Sequence, residues 1–160
     1  MQMVLNRRKA IAALASVSAL SLCKLAEAAE SPPQIRVTRD PTCGCCGAWV
    51  DHLRAANFTV DVVEVPDVNR TKAKLGVPHD LMSCHTAEIG GYVVEGHVPA
   101  STIQRLLSEK PDAKGLAVPG MPIGSPGMMV EGLPNEEYAV VLFGAFGRRN
   151  YARFHGLCEL

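Results

Sequence analysis

The stretch "RDPTCGCCGAWVDHL", Arg39 to Leu53, places Cys43, Cys45 and Cys46 within four positions. Cys43 and Cys46 have Cys-x-x-Cys spacing where an apolar alternation gives way to a helical pattern. A helix N-terminus at that point offers free N–H groups and a partial positive charge, which stabilise thiolate. Thiolate is the reactive form for disulfide exchange and also for binding a soft metal, so the spacing alone fits either use. Cys45 shifts the balance, because a third thiol inside an exchanging pair promotes scrambling, whereas a metal cluster gains a bridging ligand. A second stretch, "LMSCHTAEIGGY", puts Met82, Cys84 and His85 within four positions. A third, "PGMPIGSPGMM", adds Met121, Met128 and Met129. Thiolate, thioether and imidazole together favour Cu(I) among the common metals. Structural zinc sites use two separated Cys-x-x-Cys knuckles, and the chain has one. The competing chemistry is thiol–disulfide exchange, with Cys43 as nucleophile and Cys46 as resolving thiol.

The elements that must position these groups follow from the patterning around them. "QIRVTRD" alternates apolar and polar residues as a short strand, and Asp40-Pro41-Thr42 makes a turn. Cys46, Val50 and Leu53 then repeat at helical spacing, with Asp51, His52 and Arg54 on the solvated side. "TVDVVEV" reads as a second strand, better buried than the first, which makes a parallel strand–helix–strand unit. Asp67 caps a short helix closed by Gly76 and Pro78. "AEIGGYVVEGHVP" reads as a hairpin turning at Gly90-Gly91, followed by a helix with Ile103, Leu106 and Leu107 on its apolar face. "LAVPGMPIGSPGMMVEG" is too rich in Pro and Gly for regular structure, "YAVVLFGAFG" reads as a last strand, and "RRNYARFHG" as a basic closing segment. The expected fold is α/β and thioredoxin-like: a central mixed sheet flanked by helices, in the order β-α-β-α-β-β-α plus a C-terminal strand. That order sets the first cysteines at the N-terminus of the first helix.

The remaining histidines are less informative. His79, His97 and His155 have no local partner, and His97, between Gly96 and Val98, is the best placed of them as an outer contributor.

The chain has 160 residues, with 16 basic and 16 acidic, so it carries no electrostatic footprint for nucleic acid. Aromatic residues make up 5%, too few for stacking platforms. Residues 1–29 read as a cleaved secretory signal: Arg7, Arg8 and Lys9, an apolar run, then Ala26-Glu27-Ala28. The apolar run is shorter than the ~20 residues that span a bilayer, so no membrane contact is expected after cleavage. Residues 30–160 are then one domain, located in the periplasm. Beyond the signal segment Cys43, Cys45, Cys46, Cys84 and Cys158 remain, an odd number in an oxidising compartment. A pure disulfide framework would leave one thiol unpaired, and adjacent Cys45 and Cys46 bond to each other poorly. An iron–sulfur cluster would be unusual after unfolded export.

Three segments in order, "CGCCGAWVDHL", "MSCHTAEIGGYVVEGHVPASTI" and "GLAVPGMPIGSPGM", resemble the CopG-type copper-resistance proteins of bacteria. The resemblance spans roughly Ile35 to Tyr151. It implies a thioredoxin-like, exported protein that binds several copper ions through bridging cysteines and interconverts Cu(I) and Cu(II). Carried over by motif, Cys43, Cys45, Cys46 and Cys84 are the core ligands, with Met82, His85, Met121 and Met128 as further candidates. The implied role is copper resistance by sequestration, transfer or redox cycling, with copper ions and other periplasmic copper-handling proteins as partners. Cys158 lies outside the pattern.

Overall fold

The computed structural model describes residues 32–160. The expected signal segment and Cys23 lie outside the described residues. Among the described residues, eight strands form one mixed sheet in the order β2-β1-β3-β4-β5-β6-β7-β8. In chain order these are β1 (Gln34–Arg39), β2 (Thr59–Glu64), β3 (Thr86–Ile89), β4 (Tyr92–Glu95), β5 (Gly115–Ala117), β6 (Glu137–Gly144), β7 (Gly147–His155) and β8 (Cys158–Glu159). Three α-helices accompany them: α1 (Gly44–Ala55), α2 (Val68–Leu75) and α3 (Ala100–Glu109). The mixed α/β class, with one mixed sheet flanked by helices, is the one expected.

β1 and β2, which flank α1 in the chain, pair in parallel, while β3 lies antiparallel to β1 and β4 antiparallel to β3. The β3–β4 turn is Gly90-Gly91, both with positive φ (56° and 84°), the conformation a two-residue hairpin needs and glycine adopts without strain. Asp67 caps α2 by accepting from the Asn69 N–H at 3.1 Å. Ile35 and Val37 from β1, Trp49, Val50 and Leu53 from α1, Val94 from β4, and Ile103 and Leu106 from α3 meet in one core. Trp49 has no exposed surface, and its indole N–H donates to the Val98 carbonyl at 2.9 Å. That bond ties the first turns of α1 to the segment leading from β4 to α3.

Several local expectations are corrected. β2 is the less buried of the first two strands, because it is a sheet edge with β1 as its single neighbour. The Pro- and Gly-rich stretch begins with a short regular strand, β5, paired to β4 and β6. The basic closing segment is a strand, β7, paired along its length with β6. Its arginines had masked a one-sided alternation in which Ala152 and Phe154 face the core. His52 is half-buried, and its Nε2 accepts the Ala100 N–H at 3.1 Å, which caps the start of α3. Cys158 sits exposed in the two-residue edge strand β8.

Candidate functional site

The first turn of α1 is left chemically open by its own sequence. Asp40 Oδ1 accepts from the Thr42 N–H and hydroxyl, and Cys43 N donates to the Asp40 carbonyl at 3.1 Å, which sets the tight turn out of β1. Cys43 is the N-cap, makes no side-chain capping bond, and no acidic residue follows in the first turn. The helix-end N–H groups and dipole are therefore available to the sulfurs rather than spent on a carboxylate. Arg39 Nη1 donates to the Cys43 carbonyl at 3.1 Å, which holds the turn from below.

Cys84 reaches this helix end from the other side, on the segment entering β3. The sulfurs of Cys43, Cys45, Cys46 and Cys84 all lie within 4.8 Å of one another. Cys43 and Cys46 are joined as a disulfide, Cys45 Sγ lies 3.5 Å from Cys43 Sγ, and Cys84 Sγ lies 3.8 Å from Cys45 Sγ. Cys45 and Cys84 are free and half-buried, whereas Cys46 has no exposed surface.

A second group shares Cys84. Its Sγ lies 3.2 Å from His85 Nδ1 and 3.1 Å from His97 Nε2, and these three ligand atoms also fall within 4.8 Å of one another. Both imidazoles are fully buried. The His85 ring lies tilted against Trp49, with centroids 4.3 Å apart, and meets the His97 ring edge-on at 4.9 Å. His97 Nδ1 lies 2.8 Å from the Pro126 carbonyl. A carbonyl can only accept, so Nδ1 carries the hydrogen and Nε2 presents its lone pair to Cys84. Burial lowers the pKa of His97. Burial also holds His85 well below the ordinary imidazole range, with the charges of His97 and Lys72 acting the same way. Both rings are thus neutral donors at physiological pH. Burial, and the Cys45 thiol beside it, push the Cys84 thiol up to about 12.

The peptide preceding Cys84 is gripped by a buried ion pair. Lys72 Nζ and Glu95 Oε1 are 2.7 Å apart, with side chains 1% and 0% exposed. The same Glu95 oxygen accepts the Ser83 N–H at 2.6 Å, and Lys72 donates to the Ser83 carbonyl. The methionine loop closes the remaining side. Pro126 anchors it to His97, and the Ser83 hydroxyl donates to the Gly120 carbonyl. Gly127 packs so closely on α1 that a Cβ there would lie 2.7 Å from Trp49 N and 2.8 Å from the Cys45 carbonyl.

The structure brings together five of the sequence-derived site residues, Cys43, Cys45, Cys46, Cys84 and His85. Met82 is half-buried against the smaller cluster of Val77, Leu81, Val93, Ala117 and Phe143. Met121 is half exposed on the loop (52%), and Met128 is half-buried, its backbone closing turns with Ser125 and Gly124. His97 belongs to the site more directly than its place outside the ligand set suggested. The signal was present in "GGYVVEGHVP": a hairpin turning at Gly90-Gly91 returns residue 97 beside residue 84, since Thr86 pairs with Glu95. The donors fit a soft cation well. Thiols and two neutral imidazoles make a set matched to copper, and His85 Nε2, buried with no hydrogen-bond partner, leaves that ring uncommitted to any competing group.

Residues 81–128 match a family described as "Protein of unknown function, DUF411". No curated protein matches the chain significantly. Two solved structures do. The copper resistance protein CopG in its form 2 is 43% identical over 81% of this chain and 98% of its own, with a TM-score of 0.71. Form 1 is 44% identical over 78% of this chain and 99% of its own, with a TM-score of 0.72. Identity at that level, over nearly the whole length of those structures, reaches past the fold and confirms the resemblance first read from three short motifs: the chain belongs to the family of the copper resistance protein CopG.

Proposed function

We propose that this is an exported, thioredoxin-like copper protein that holds one or more copper ions on its cysteine cluster. It acts in copper resistance by sequestering copper, passing it to other periplasmic copper-handling proteins, or interconverting Cu(I) and Cu(II). The observation that carries the reading is the convergence of four sulfurs on one uncapped helix end, with two buried neutral imidazoles against the fourth. Thiolates stabilise Cu(I), while adjoining imidazoles keep Cu(II) accessible, which is the physical basis for cycling. The β2-β1-β3-β4 order, with its parallel β1–β2 pair and antiparallel β3 and β4, supports the thioredoxin-like description. The basic, apolar and Ala-Glu-Ala segments of residues 1–29 support export to the periplasm.

The test is metal analysis of anaerobically purified chain alongside Cys45→Ser and Cys84→Ser variants. Copper in the wild type and its loss in both variants is the expected result. A wild type that takes up no Cu(I) sinks the reading. Following Cu(II) by electron paramagnetic resonance after adding oxidant to the Cu(I) form separates cycling from passive carriage.

The Cys43–Cys46 disulfide favours a second reading, a periplasmic thiol–disulfide oxidoreductase. Insulin reduction that persists in both the Cys45→Ser and Cys84→Ser variants, with no copper bound by the wild type, is its signature.

A further inference from the structure

A cation is seated under the first turn of α1, where a helix least favours one. Arg39 closes β1, and Glu64 is its register partner across the parallel β1–β2 pair. Arg39 Nη2 lies 2.7 Å from Glu64 Oε1, and Nη1 donates to the Cys43 carbonyl at 3.1 Å. Nη1 also stands 3.4 Å from where a Cβ on Gly47 would be, so the guanidinium abuts the turn that carries Cys45 and Cys46. The placement works against stability in two ways. A cation near a helix N-terminus opposes the helix dipole. Arg39 Nε is also buried with no hydrogen-bond partner, which leaves a desolvated donor unsatisfied. No acidic residue in the first turn offsets the charge, and among the described residues the sulfur and imidazole groups of the site include no carboxylate. Lys72, behind Cys84, is matched by Glu95 in a fully buried pair. The counter-charge of Arg39 lies nearer to solvent, since the Glu64 side chain is 48% exposed against 20% for Arg39.

We propose that Arg39 is a positioning residue whose positive charge favours Cu(I) held on the thiolates of this site. The inference rests on the copper-site reading and adds to it the group that balances its charge. A thiolate carries one negative charge and Cu(I) one positive, so a Cu(I) between two thiolates leaves the site one unit negative. The neutral imidazoles do not correct that excess. The guanidinium and the helix N-terminus do, and both act from the α1 side of the sulfurs. Glu64 opposes them by its sign, and its exposure keeps that opposition screened. The reach of Arg39 extends to His85, whose neutral form is favoured first by burial and further by surrounding charges that include Arg39.

The test uses the full chain carrying Cys23→Ser and Cys158→Ser, so that the four site cysteines are the remaining thiols. This chain is reduced with excess dithiol, desalted without oxygen, and its Cu(I) affinity measured by competition with a Cu(I)-specific chromophoric chelator. In this background Arg39→Met should weaken Cu(I) binding about tenfold, the effect of one charge acting through a partly screened interior. Arg39→Lys keeps the charge without the planar fork and should weaken it by less than about threefold. Glu64→Gln should tighten binding by about twofold or more, because the amide oxygen still accepts from Arg39 while the opposing charge is gone. A brace that acts through its hydrogen bonds alone gives another pattern. Arg39→Lys then falls as far as Arg39→Met, and Glu64→Gln leaves the affinity unchanged or lower. Either result overturns the proposal and leaves the copper site standing. Glu64→Gln preserves the contact geometry at a half-exposed position, so it decides the matter even if Arg39→Met folds poorly. A reduced parent chain that binds no Cu(I) overturns both this proposal and the copper-site reading.

Discussion

His97 Nε2 lies 3.1 Å from the Cys84 sulfur although thirteen residues separate them, because the β3–β4 hairpin folds one back beside the other. The Pro126 carbonyl, 2.8 Å from Nδ1, fixes which ring nitrogen keeps its lone pair. His97 therefore either ligates a cation held by Cys84 or accepts the Cys84 proton as the cation arrives. His97→Ala removes both uses and should lower Cu(I) affinity by about 10–100-fold, the range seen when partners of metal ligands are removed. Competition against a Cu(I) chelator measures it. An unchanged affinity in a folded variant would show that the ring only fills space beside His85.

Copper affinity should rise with pH. The Cys84 thiol, pushed up to about 12 by burial and by Cys45, is protonated at neutral pH, so a cation must displace its proton. Each displaced proton steepens apparent affinity by up to about tenfold per pH unit. The imidazoles do not contribute over the same range, since burial lowers both His85 and His97 and keeps them neutral where an ordinary histidine would begin to charge. Calorimetry in buffers of different ionisation enthalpy counts the protons released between pH 7 and 9. Cys84→Ser should release one fewer.

The Lys72–Glu95 pair sits where neither partner reaches water, and both groups hold the Ser83 peptide next to Cys84. Removing one charge strands the other in the interior. Lys72→Met should cost about 3–5 kcal/mol in denaturant unfolding, as for other broken buried pairs. Lys72→Met combined with Glu95→Gln should cost less than Lys72→Met alone, because no uncompensated charge remains. If the single and double variants unfold together, the pair is not the clamp its geometry indicates.

The thiols were legible because their chemistry is local: three sulfurs in four residues and a Cys-His dipeptide need no tertiary information to be noticed. The helix end that collects them was legible as well, from the apolar period through Cys46, Val50 and Leu53. What escaped depended on long-range pairing. His97 joins Cys84 only through the hairpin register, and His52 finds its donor, Ala100 N, forty-eight residues away. Lys72 and Glu95 meet only in the folded chain, since a residue's letter says nothing of a partner twenty-three positions off. β7 was hidden by the exposed Arg148, Arg149 and Arg153, although Ala152 and Phe154 carry the buried alternation. The exposure of β2 followed from sheet order, which local patterning does not encode.

Gly127 ties the methionine loop to the site, and its replacement should loosen both. Its φ is +84°, a region that side-chain-bearing residues enter at a cost of about 1–2 kcal/mol. A Cβ would also lie 2.7 Å from Trp49 N and 2.8 Å from the Cys45 carbonyl, backbone atoms of α1 that cannot turn aside. Gly127→Ala must therefore lift the loop, and Pro126 with it, off His97. Gly132→Ala is the matched control: its φ is +82°, but a Cβ there meets nothing within 4 Å. Both variants should lose stability through the backbone, while only Gly127→Ala should also weaken Cu(I) binding, by about tenfold or more through the lost His97 partner. Chelator competition on the two folded variants is the measurement. Equal affinities would mean that the Pro126 carbonyl does not position the imidazole.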